Sequence, residues 1–221
     1  MLRREPFGFA ALDDSRTLPV WLRELGYRTR FLGKYLNGYG SQPLRDGSPS
    51  LRYVPPGWTD WRASVDAVET PAEKDGPLEG STYRYFDTTL NDNGRLEPNE
   101  GPYQTHVYSR LTQEMLRQEA RHPQPFFAYV SFTAPHTGTP FEDDDTEPIR
   151  APDGKRQRLL SPARPDYVHG RFDEQIVRIP GGRDRPDRID DKPVHVRKRA
   201  PLSPAEADAL LGNLRQRAEA L

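Results

Sequence analysis

The sequence predicts an α/β fold with long irregular loops. Three observations carry that expectation. A helix-like run over residues 17–25 ends at Gly26 and feeds a β-type run, Tyr27-Arg28-Thr29-Arg30-Phe31-Leu32, which is half of a repeating helix–strand unit. A second helical stretch leads into FFAYVSF at 126–132, nearly all apolar. Residues 138–201 are charged, proline-rich and without periodicity, too long for an ordinary connection.

Composition sets the limits. The chain has 221 residues, enough for one domain or a large part of a bigger one. Only 34% of the residues are hydrophobic, mean hydropathy is −0.89, and there are 23 Pro and 17 Gly. The core must be thin and much of the chain must be loop. Lys and Arg number 32 against 33 Asp and Glu, giving a net charge of −1. No global field favours nucleic acid or an anionic membrane as partner. No cysteine is present, which excludes disulfides, thiolate metal sites and a cysteine nucleophile. No apolar run approaches the ~20 residues of a membrane span. Met1-Leu2-Arg3-Arg4-Glu5-Pro6 has two positive charges but no apolar stretch after them, so no signal peptide is expected in this sequence, and the compartment is unknown.

The elements follow in order. Thr17 is placed to cap the first helix, Pro19 falls in its first turn, and Leu18, Leu22 and Leu25 recur at helical spacing. Gly26 stops it. The strand over 27–32 then opens into Gly33-Lys34-Tyr35-Leu36-Asn37-Gly38-Tyr39-Gly40. A lone lysine released at a strand end among glycines and aromatics is a common way for α/β enzymes to present a cation to an anionic substrate. Residues 40–82 show little periodicity, and YVPPGWTDW at 53–61 reads as an ordered aromatic loop. Residues 83–90 are β-rich, and Asn93-Gly94 suits a type I′ hairpin turn into a strand starting at Arg95. The second helix is expected over 103–121, with Val107, Leu111 and Met115 on one face. The apolar 126–132 run reads as a central parallel strand buried on both faces; it empties into Thr133-Ala134-Pro135-His136-Thr137. Ser203-Pro204-Ala205-Glu206 carries a capping box and starts a last helix over 202–221.

Lys34 and His136 thus leave two strand ends that a parallel sheet would place on one edge. Together they suit an oxyanion such as sulfate or phosphate, with the histidine able to pass a proton to a leaving oxygen. Taken singly, each has an ordinary reading as a solvated lysine and a hydrogen-bonded histidine.

The local words add to this. In order they are Thr-Leu-Pro-x-x-Leu-x-x-x-Gly-Tyr-x-Thr from Thr17, Gly-Lys-Tyr-Leu-Asn-Gly-Tyr-Gly from Gly33, Val-Pro-Pro-Gly-Trp from Val54, Tyr-Phe-Asp-Thr-Thr-Leu-Asn-Asp-Asn-Gly from Tyr85, and Pro-Phe-Phe-Ala-Tyr-Val-Ser-Phe-Thr-Ala-Pro-His-Thr from Pro125. Together they resemble the sulfatase family of the alkaline-phosphatase-like superfamily, and its arylsulfatase and glucosamine-6-sulfatase-like branch in particular. The resemblance covers residues 8–140 well and 141–221 more loosely. It implies a partial doubly wound alkaline-phosphatase-like fold and a sulfuric ester hydrolase acting on a small-molecule or glycan sulfate ester. It implies that Lys34 and His136 are catalytic and contact the sulfate, with Asn37 a further substrate contact. In the complete family enzyme it also implies a formylglycine made from Cys or Ser in Cys/Ser-x-Pro-x-Arg, and calcium or a similar divalent ion held by Asp and Asn.

Neither the nucleophile motif nor the metal ligands are found here. The sequence therefore reads as an internal fragment, inactive alone, that holds no metal or cofactor. Residues 1–137 would be the α/β part with the site loops, 138–201 a long Pro/Arg-rich arm and 202–221 a truncated helix. Three decoys are set aside: Thr146-Glu147-Pro148-Ile149-Arg150, Leu160-Ser161-Pro162-Ala163-Arg164 and Asp184-Arg185-Pro186-Asp187-Arg188 all fall where Pro-x-Arg recurs by composition. Asp13-Asp14 reads as a helix-entry pair, Asn91-Asp92-Asn93-Gly94 as a turn, the run Glu142-Asp143-Asp144-Asp145 as a solvated loop, and Arg197-Lys198-Arg199 as a solvated segment. Two alternatives stay open: a phosphatase or phosphodiesterase of the same superfamily, or a non-catalytic remnant or anion- or sugar-binding module.

Overall fold

The computed structural model describes residues 8–66, 82–146, 149–150, 156–157, 161–179, 193–197 and 202–221. The chain divides into two units, Met1–Thr133 and Ala134–Leu221.

The first unit is built on a mixed sheet. Its strands are β1 (Arg28–Lys34), β2 (Asp60–Ser64), β3 (Asp87–Asp92), β4 (Arg95–Glu100) and β5 (Phe126–Ser131), in the order β4-β3-β2-β1-β5. β1 runs parallel to both β2 and β5, and β3 and β4 close the other side antiparallel. Alternation along β1 sends Phe31 to one face and Leu32 to the other, as period-two geometry requires. Phe31 packs with Trp61, Ala63, Val65, Tyr39 and Phe9. Leu32 packs with Leu90, Val107 and Tyr108, the last two from helix α2 (Gln104–Glu119). The connection from β1 to β2 has no helix; its prolines at 43, 49, 55 and 56 forbid one, and its aromatics cover the Phe31 face instead.

Helix α1 (Leu18–Glu24) follows Thr17, whose side chain makes no cap hydrogen bond, and ends before Gly26 at φ +85°. Its leucine stripe does not form the expected buried face: Leu18 is 50% and Leu25 73% exposed. The buried contact is made by Pro19, beside Gly57, where a side chain would run into the Pro19–Val20 backbone. The β3–β4 hairpin matches its sequence signal. Asp92 pairs with Arg95 across Asn93 and Gly94, at φ +52° and +94°, the two positive angles that a type I′ turn demands.

Two strand expectations need correction. β1 does not stop at residue 32; pairing with β2 continues to Lys34↔Ser64, so Lys34 is the last strand residue. β5 is an end strand among the described strands, paired with β1 alone, and Phe126, Tyr129 and Phe132 are 40–52% exposed. Its apolar run does not mark a strand buried on both faces.

A buried ion network ties the start of β1 to the end of α2. Glu119 takes the Arg28 Nε at 2.7 Å and also the Arg30 guanidinium, and Arg30 reaches Asp60 at 2.7 Å. Burial pushes the Glu119 carboxyl up, but the bonds from Arg28 and Arg30 outweigh it and hold it below its ordinary value.

The second unit contains the short pair β6 (Ile149–Arg150) and β7 (Arg156–Gln157), the single-turn helix α3 (Val194–Arg197) and helix α4 (Pro204–Glu219). α4 starts at the predicted capping box: Ser203 Oγ accepts from Glu206 N–H at 3.3 Å, and Glu206 accepts from Ser203 N–H at 2.8 Å. One side of α4 binds the segment around Ser161, through Asn213 and Gln216. Arg164 is fully buried, 2.7 Å from Glu142, 2.6 Å from Asp144 and 3.2 Å from Glu219. Burial raises the Glu219 carboxyl despite the nearby Arg164. The acidic run is therefore not simply solvated, since Glu142 and Asp144 grip the arginine of the second decoy. The third decoy, at 184–188, lies outside the described residues, as do Leu160, Glu147, Pro148, Lys198 and Arg199.

Candidate functional site

The site is built where β1 and β2 end side by side. Gly33, at φ +105°, precedes the lysine; a Cβ there would lie 2.9 Å from the Ser131 carbonyl carbon and nearer still to its oxygen. Glycine is required for β1 and β5 to approach this closely. The next residue, Lys34, is half-buried, and its ammonium lies 3.4 Å from both carboxylate oxygens of Asp66. Charge-assisted N–H···O⁻ bonds are normally about 2.7–2.9 Å, so this pair is loose. An ammonium has three donors, and capacity remains for another anion.

Asp66 is held more firmly than the lysine it faces. Its Oδ2 accepts the Gly38 N–H at 2.9 Å, and its own N–H donates to Tyr39 O at 2.9 Å. The loop over 35–40 thus folds around this carboxylate. The Tyr83 ring lies 5.3 Å from the ammonium, within cation–π range. Its hydroxyl reaches Asn37 Oδ1 at 3.5 Å. Tyr39 anchors the loop from below: its hydroxyl accepts from Trp61 Nε1 at 2.7 Å and Asn91 Nδ2 at 2.8 Å and donates to Tyr53 O. Burial pushes the Tyr39 phenol well above its usual range.

Behind the strand ends lies a hydroxyl cluster. The Tyr108 phenol is fully buried and faces Ser64, Thr88 and Thr133; burial raises it, and these hydroxyls oppose the rise. Ser64 is the register partner of Lys34.

The structure therefore gathers Lys34, Asn37, Asp66 and Tyr83 at one edge of the sheet in the first unit. His136 belongs to the second unit. There its side chain is exposed, with Nδ1 2.8 Å from Thr137 O. Arg217 of α4 donates to the Pro135 carbonyl, one residue earlier, and is itself braced by Asn213 at 2.8 Å. Sequence reading missed Asp66, Tyr83 and Arg217. The signal for Asp66 was present: Trp61, Ala63 and Val65 alternate with Arg62 and Ser64, a strand pattern that would put residue 66 at a strand exit.

Other candidates resolve into structure. Asn91 Oδ1 accepts the Gly94 N–H at 2.7 Å and is a turn residue. Asp13 accepts from Ser15, and Asp14 accepts from the Tyr53 hydroxyl at 2.8 Å. Trp58 and Trp61 pack on Phe31. Among the described residues no group of three or more His, Cys, Asp or Glu is arranged to hold a metal ion. With no cysteine in the chain and no such donor set among the described residues, these residues do not fit the divalent ion or a cysteine-derived formylglycine that the resemblance implies.

Comparison with known proteins identifies the family. Residues 11–178 match the sulfatase family. The chain is 33% identical over 131 residues to a putative extracellular sulfatase Sulf-1 homolog of Caenorhabditis elegans, covering 57% of this chain and 15% of that protein. It is 34% identical over 128 residues to an arylsulfatase of Volvox carteri, covering 57% and 16%. It is 32% identical over 131 residues to human N-acetylglucosamine-6-sulfatase, covering 57% and 20%. The chain thus spans a fifth or less of the length of these relatives. No solved structure gives a significant match. The chain belongs to the sulfatase family, sulfuric ester hydrolases of the alkaline-phosphatase-like α/β fold.

Proposed function

We propose that the protein hydrolyses sulfate monoesters to an alcohol and inorganic sulfate, and that these 221 residues supply the anion-binding side of the site. The observation that carries this is Lys34 at the carboxyl end of β1, loosely paired and flanked by Asn37 and Tyr83, in a chain that matches the sulfatase family over 11–178. Lys34 donates to the sulfate oxygens and offsets the charge that builds there as the ester bond breaks. Asn37 offers an amide to the substrate. His136 is assigned the proton for the leaving oxygen. The stretch Ala134-Pro135-His136, one of those that resemble the family, supports this role. The names of the relatives, an arylsulfatase and an N-acetylglucosamine-6-sulfatase, favour aryl or glycan sulfate esters as the substrate class. With no cysteine nucleophile in its sequence and no metal set among its described residues, the chain by itself is expected to bind such an ester without turning it over.

The test is calorimetric titration with 4-nitrophenyl sulfate, together with a colour assay for release of 4-nitrophenol. Saturable binding that Lys34→Met weakens about tenfold or more, without turnover, is the expected result. Binding indifferent to Lys34→Met would overturn the assignment of the anion site. Turnover by this chain alone would overturn the division of labour.

A further inference from the structure

The cation at the strand end has a resident counter-ion that the catalytic scheme does not use. Asp66 sits 3.4 Å from the Lys34 ammonium through both oxygens, and each side chain is 16% exposed. It cannot swing aside freely, because its carboxylate holds the Gly38 N–H and its backbone holds Tyr39 O. The other side chains described at this edge, Asn37 and Tyr83, bring it an amide and a phenol ring rather than a second carboxylate.

We propose that Asp66 is a specificity-determining residue that makes the Lys34 site favour singly charged anions over doubly charged ones. The inference rests on the reading that this edge takes an oxyanion. Attraction to a positive site grows in proportion to the charge of the ligand. The cost of stripping water from the ligand grows with the square of that charge. A partly neutralised lysine therefore still holds a monoanion but loses more of its hold on a dianion. A sulfate monoester carries one negative charge. Inorganic sulfate carries two, and a phosphate monoester, with its second pKa near about 6, carries nearly two at neutral pH. Asp66 thus biases the site toward the sulfate ester, against phosphate esters, and toward release of the sulfate product.

The probes are methyl sulfate and inorganic sulfate, titrated by calorimetry into the whole chain at constant ionic strength and neutral pH. Asp66→Asn removes the charge while keeping an acceptor for Gly38. Because the gain in attraction scales with ligand charge, methyl sulfate should bind about threefold more tightly and inorganic sulfate about tenfold. The double variant Lys34→Met/Asp66→Asn should abolish both gains. Equal gains for the two anions, or weaker sulfate binding, would overturn the proposal while leaving Lys34-dependent ester binding intact. If neither wild type nor Asp66→Asn binds either anion through Lys34, both this inference and the functional reading fail. Thermal unfolding checks that the variant is folded; if it is not, Asp66→Ser takes its place, with the same two outcomes.

Discussion

Replacing Gly33 by alanine tests whether the close approach of β1 and β5 positions the lysine. Gly33 has φ +105°, and an added Cβ would meet the Ser131 carbonyl carbon at 2.9 Å and Tyr108 Cε2 at 3.3 Å. Two costs combine. A side chain in a sparsely populated backbone region costs about 1–3 kcal/mol. Forcing a methyl group against backbone that cannot yield costs about another 1–3 kcal/mol. Gly26 separates the two, since it has φ +85° with nothing within 4 Å of the added atom and carries the first cost alone. Urea unfolding followed by circular dichroism should place Gly33→Ala about 1–3 kcal/mol below Gly26→Ala. The same variant should lose ester binding, because Ser131 can move away only by displacing the strand end next to Lys34. Equal destabilisation of the two variants would refute the close-approach argument.

Glu119→Gln should destabilise the first unit by roughly 3 kcal/mol, as expected when a buried ion pair loses one partner, measured by the same unfolding assay. The sign with pH follows from the lowered Glu119 carboxyl: its contribution is present above the ordinary value of 4.5 and fades as pH falls through the lower folded value. The variant should therefore lose much of the acid limb of the stability profile, and an unchanged limb would contradict the network. Ser203→Ala should cost about 1 kcal/mol by removing the cap of α4, with helix content and midpoint as readouts and no change if the cap is idle.

What the sequence showed clearly was local. The Asn93-Gly94 turn, the Ser203/Glu206 box and the Val107–Met115 stripe each depend on neighbours a few positions away, and each is present. The strand with Lys34 and the family words around it were also legible. The misreadings came from tertiary context. The leucines of α1 repeat at helical spacing, yet Pro19 makes the buried contact, because Gly57 admits the helix start there. FFAYVSF has the composition of a central strand, but hydrophobicity alone does not reveal how many neighbours a strand will have. β2 was hidden because Pro55, Pro56, Gly57 and Trp58 before it look like loop, and with it went Asp66, the carboxylate that faces Lys34. The grip of Glu142 and Asp144 on Arg164 joins positions more than a dozen residues apart, which no local pattern encodes.

The central claim is that the strand end at Lys34 is the anion-binding wall of a sulfate ester site. Its most direct test is a nuclear magnetic resonance titration of the chain with 4-nitrophenyl sulfate. The account predicts saturable shifts concentrated at the Lys34 side chain, the Gly38 amide, Asn37 and Tyr83, all lost in Lys34→Met. Shifts centred elsewhere, or persisting at Gly38 in Lys34→Met, would contradict it.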